Sequence, residues 1–212
     1  MGRAISNKNV CDARFEVAEF TGAWLESFGK PEMKGAWIIY GESGCGKTHF
    51  AMLLLKYLTN FTHKGAYNTL EQGLSLSFQN AWRDAQMEQV GSKVIVLHKE
   101  PIEELRVRLN KKRSPGIIII DSITALVGFT RPQFSKLMND YPDKLFIFIA
   151  HEENGKPYPS IAQHVRKLSE VKIHVEGYKA FFTTRFRGDN GEGETPFVIW
   201  EQGASEYWAD KL

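Results

Sequence analysis

The sequence predicts an α/β fold: a single domain with a mainly parallel central sheet flanked by helices, extended by a C-terminal antiparallel hairpin. Three observations predict it. Apolar runs of strand length alternate with stretches of helical spacing through most of the chain. A glycine-rich loop, Gly41-Glu42-Ser43-Gly44-Cys45-Gly46-Lys47-Thr48, joins the first of these runs to a run of helical character. The last quarter changes to apolar–polar alternation broken by turn glycines, the pattern of antiparallel strands.

Taken in order, residues 1–14 are polar and read as loosely held. Phe20, Trp24, Leu25 and Phe28 recur at helical spacing within 15–28, with Thr21 as a possible cap and Lys30-Pro31-Glu32 as the stop. Residues 1–33 therefore read as an N-terminal segment with one amphipathic helix, and 34–212 as the core. Strands are predicted at 36–40, 66–70, 93–98, 116–121 and 144–150, and helices at 47–60, 74–88, 101–112, 132–140 and 159–168. Four successive isoleucines, Ile117 to Ile120, mark a strand buried on both faces. Beyond them Val171–Glu176 alternates, Gly177 turns, and residues 178–186 continue as a strand. A polar loop over 189–194 leads to a last strand within 196–200.

The chain of 212 residues fits one such domain, and its net charge of +2 is too small to argue for nucleic acid by itself. No apolar run approaches membrane-spanning length, and Met1 to Lys8 lacks an apolar signal core. Cys11 and Cys45 do not make a disulfide framework, so a reducing cytoplasm is expected.

The glycine loop has the form G-x-x-x-x-G-K-[ST] between a strand and a helix, the context in which that motif binds nucleoside triphosphate. Its glycines let successive N–H groups turn toward phosphate oxygens, and the helix N-terminus adds its positive end. Lys47 is expected to reach the β- and γ-phosphates, Thr48 to hold Mg²⁺, and His49 to follow them in the ATP-binding segment. Asp121, at the end of the isoleucine strand, is the expected metal carboxylate. Ser122 follows it where an acid would otherwise activate water. The remaining acid at a strand end is Glu71, 24 positions after Lys47.

This layout resembles the RecA/KaiC superfamily, and Asp121-Ser122-Ile123-Thr124-Ala125-Leu126 is similar to the RecA segment after the metal aspartate. The resemblance covers roughly residues 34–200. It implies that Glu71 is the general base or water-orienting residue of an ATPase. It implies also that His151, ending the strand over 144–150, senses the γ-phosphate. Arg185-Phe186-Arg187-Gly188 resembles the K-x-R-x-G finger that reaches a neighbouring subunit's site, which implies a homo-oligomer with Arg185 and Arg187 acting in trans. Phage-type single-strand-annealing ATPases have a similar size and plan. On that likeness the expected role is DNA recombination, with single-stranded DNA as partner and no membrane. Arg131, Lys156, Arg166 and Lys167 are the candidate DNA contacts, on or near two loops that combine charge with Phe129 and Tyr158 as stacking faces. A KaiC-like switch acting on a protein, and a small-molecule kinase, are the other readings of the loop.

Overall fold

A computed structural model describes residues 4–186, 193–209 and 211. Two helices, α1 (Asn7–Cys11) and α2 (Gly22–Phe28), precede β1 (Gly35–Gly41) and α3 (Lys47–Leu58). The middle of the chain alternates β2 (Gly65–Thr69), α4 (Leu76–Asp84), β3 (Val94–His98), α5 (Ile102–Leu109), β4 (Ile117–Asp121) and α6 (Arg131–Asp140). It closes with β5 (Leu145–Glu153), β6 (Lys156–Tyr158), α7 (Ser160–Leu168), β7 (Val171–Glu176), β8 (Lys179–Thr184), β9 (Phe197–Val198) and α8 (Glu201–Ala209).

Among the described residues nine strands form one sheet, in the order β3-β2-β4-β5-β1-β7-β8-β9 with β6 paired to β5. Strands β3 through β7 run parallel along that order, and β8 and β9 are antiparallel additions. The expected fold class is what the structure has. Its cause is visible in the isoleucine strand. Ile117 and Ile119 enter the apolar layer against α3, and Ile118 and Ile120 the layer beneath α5, α6 and α7. Each buried isoleucine contributes about 1.5–3 kcal/mol, so both faces must be covered.

The elements depart from the sequence expectations in four places. Residues 15–21 are not helical: Ala18 N–H donates to Pro31 O at 2.9 Å, and Phe20 is drawn into a ring cluster with Phe28, Tyr57 and Phe61. The helix over 74–88 stops at Asp84, where Gln86 adopts a left-handed φ of 53° and a 3₁₀ stretch, Met87–Lys93, follows. Strand β5 continues past Ala150 to Glu153 and folds back as β6, where the sequence reads as a loop. Finally, the last strand is two residues long and hands over at once to α8.

Strand order is what assembles the site. Strand β5 lies between β1 and β4, with Gly41 opposite His151 and Asp121 opposite Ile149. The ends of β1, β2, β4 and β5 therefore meet at one edge of the sheet, the carboxyl edge at which open α/β sheets bind ligands.

Candidate nucleotide site

The loop leaves β1 at Gly41, where a methyl group would overlap the Val175 carbonyl oxygen and lie 2.9 Å from the Cys45 sulfur. Gly46 caps α3 with φ 103°, a left-handed conformation that only glycine takes without strain. Lys47, 7% exposed, sends its ammonium to Gly41 O at 2.9 Å and Glu42 O at 2.6 Å. A buried charge must be hydrogen-bonded, so the lysine braces its own loop. Burial lowers the His49 imidazole, against the pull of Asp84, and raises the Cys45 thiol, against Lys47.

Two carboxylates stand beside the loop. Asp121, 7% exposed, accepts from Tyr67 Oη at 2.6 Å and Thr48 Oγ1 at 3.2 Å, both on Oδ2. Burial raises its carboxyl above the ordinary range, and the two hydroxyl donors and Lys47 only partly oppose that shift. Glu71 stands at the rim. Its own N–H and that of Leu70 donate to Asp121 O, at 3.1 and 2.7 Å, which ties the end of β2 to the end of β4. Burial raises the Glu71 carboxyl, but the hydrogen bonds from His151 and Ser122, with the charges of His151 and Lys47, outweigh it and hold it below the ordinary range. His151 Nε2 lies 2.9 and 3.1 Å from its oxygens, and Ser122 Oγ donates at 2.8 Å.

Lys47, Thr48, Glu71, Asp121, Ser122 and His151 line one cleft of about 310 Å³. Gly44, Gly46, Ser43 and His49 complete its loop side. A second cavity of about 350 Å³ lies across the loop, between Glu42–Cys45 and the β7–β8 turn with Tyr178 and Tyr207. Among the described residues no group of three or more His, Cys, Asp or Glu could hold a metal alone. Mg²⁺ does not need one. It is commonly held by one or two carboxylates together with substrate phosphates, and the Thr48–Asp121 oxygen pair fits that donor set.

The structure gathers Lys47, Thr48, Asp121, Glu71 and His151, but not every expected residue. Arg185 follows β8 at the end where Thr184 pairs with Val171, the edge opposite the loop, and its guanidinium lies 3.4 Å from Glu170. Arg187 lies outside the described residues. Arg131 and Lys156 are exposed at the loops after β4 and β5, which meet where Thr124 Oγ1 donates to Tyr158 O at 3.4 Å. Arg166 and Lys167 occupy the last turn of α7, with Arg166 5.2 Å over the Tyr40 ring. The basic side chains of α5 are used internally: Arg106 pairs with Asp140, and Arg108 grips Glu100 through both carboxylate oxygens.

Sequence reasoning missed three partners. Tyr67 reads as an ordinary strand aromatic, although period-2 alternation sets it on the face of Thr69 and Glu71. Ser122 stands out only as a non-acid. Glu152, read as a solvated acid, pairs with His174 at 2.7 Å across strands, a contact that only the β5-β1-β7 order creates.

A phosphate loop, a metal carboxylate and a tethered glutamate at one strand edge define a P-loop nucleotide-binding fold. More particularly, the chain has the fold of the RecA/KaiC-superfamily P-loop ATPases. A helicase ATPase domain is similar, with a TM-score of 0.53 at 14% identity over 80% of this chain and 82% of that one. The KaiC-like protein PH0186 from the archaeon Pyrococcus horikoshii is similar too, with a TM-score of 0.51 at 15% identity over 81% and 89%. No protein-family model and no curated protein matches the sequence.

Proposed function

We propose that this chain binds Mg²⁺–ATP and hydrolyses it, as a RecA-like protein of DNA recombination or repair that assembles on single-stranded DNA. The observation that carries the hydrolytic reading is Glu71, held by Ser122 and His151 beside the Thr48–Asp121 pair. Lys47 exchanges its loop carbonyls for β- and γ-phosphate oxygens. Thr48 and Asp121 hold Mg²⁺, which supplies neutralisation of the charge on those oxygens. Glu71, kept ionised by its donors, accepts a proton from the attacking water, and His151 fixes its carboxylate.

Assembly is supported by Arg185. It sits at the opposite sheet edge from its own loop, so any contact it makes with a triphosphate is with a neighbouring copy's. DNA is supported by the two adjoining loops that carry exposed Val127, Arg131, Lys156 and Tyr158. A second reading, an ATP-driven switch for a protein partner, draws on the internal pairing of the α5 arginines, which removes one basic surface.

Steady-state ATP hydrolysis against protein concentration, with and without single-stranded DNA, tests both. Stimulation by DNA, steeper than linear in protein, is the expected result. A rate indifferent to DNA supports the switch instead. Mixing Arg187→Ala with Lys47→Ala subunits should restore activity that neither has alone, because one keeps its ATP site and the other its finger.

A further inference from the structure

Tyr67 is buried in the middle of β2, fully excluded from solvent, with its ring 5.6 Å from Phe78 and 5.9 Å from Trp82. A phenylalanine would fill that space equally well. The hydroxyl is the addition, and it is spent on Asp121 Oδ2 at 2.6 Å, shorter than the Thr48 bond to the same oxygen. Register explains the meeting: Tyr67 pairs with Ile119, two residues before Asp121 on the same face of β4. Neither bond goes to Oδ1.

We propose that Tyr67 is a positioning residue for the metal carboxylate, its hydroxyl fixing the orientation in which Asp121 meets the divalent cation. The assignment rests on the Mg²⁺–ATP reading above. Thr48 alone could not fix the carboxylate, because its oxygen is itself a ligand in that reading. Tyr67 sits beneath the cation site and has no competing duty. Groups that orient a ligand in this way typically change metal affinity about 10–100-fold when removed. The competing explanation is a buried phenol that took the nearest acceptor because it needed one. That explanation predicts lost stability and no metal effect.

The experiment is Tyr67→Phe, read by equilibrium binding of a fluorescent ATP analogue titrated with Mg²⁺, so that no turnover is needed. The expected result is a Mg²⁺ half-saturation raised about tenfold or more, with affinity for the analogue in chelator unchanged. In an Asp121→Asn background the same substitution should add nothing, since the two act as one unit. Phe78→Leu, which loosens the ring and spares the hydroxyl, should lower the melting temperature and leave the Mg²⁺ dependence alone. A Tyr67→Phe protein with unchanged half-saturation overturns the assignment, as does an equal shift in the Asp121→Asn background. A wild-type protein whose analogue binding ignores Mg²⁺ overturns the Mg²⁺–ATP reading itself.

Discussion

The floor and the rim of the cleft hold one carboxylate each, and the protein treats them in opposite ways. Asp121 on the floor is nearly sealed, and burial lifts its proton affinity despite two hydroxyl donors. Glu71 on the rim has a side chain 46% exposed, and its donors push its proton affinity down. Neighbouring acids with shifts of opposite sign are how one site divides two chemical roles. The floor acid waits for a cation to repay the cost of its burial. The rim acid is ready to accept a proton as it stands.

On that division, Glu71→Gln gives the largest effect. Hydrolysis should fall about 10²–10⁴-fold while nucleotide binding persists, a separation that quench-flow and binding titrations measure together. Lys47→Ala comes next. Losing two charge-assisted bonds at about 1.5–3 kcal/mol each should weaken ATP affinity by about 100-fold or more in calorimetry. His151→Asn should cost less, about threefold to tenfold at neutral pH, but it moves a limb of the pH profile. Removing a donor that depresses the Glu71 carboxyl lets its proton affinity rise, so the acid limb of kcat/KM shifts to higher pH. An acid limb that stays in place breaks the assignment of the rim.

The smallest effect sharpens the contrast most. Asp121 binds its proton more tightly folded than unfolded, so that group's contribution to stability is present at low pH and is lost as pH rises through the raised folded value. Asp121→Asn should therefore melt about 2–4 °C higher at neutral pH without metal, near 1 kcal/mol for a chain this long, while losing its Mg²⁺ response. The equivalent change on the rim, Glu71→Gln, should give no such gain.

The fold was legible wherever the cue was local. Ile117 to Ile120 announce a strand covered on both faces, and Gly41 to Thr48 announce the turn that follows one. The alternation from Val171 gives β7 and β8 their antiparallel partnership. What stayed hidden depends on order in space. Nothing in residues 145–153 says that β5 lies between β1 and β4, yet that position brings His151 to Glu71 and Glu152 toward His174. Tyr67 was hidden for the same reason: its hydroxyl matters only because β2 and β4 are neighbours in one register. Residues 15–20 misled because their apolar spacing serves a ring cluster and not a helix face.

The first glycine of the phosphate loop answers to β7 more than to any ligand. Because a side chain at Gly41 would collide with the Val175 carbonyl and crowd Cys45, the motif's opening position works as a mortise cut for an adjoining strand. A damaging replacement there would report on joinery, so mutational surveys that count it as lost phosphate chemistry would misread it. The tolerance of position 41 should instead follow the backbone path at Val175, and a redesign of the C-terminal hairpin would reset which residues the loop accepts.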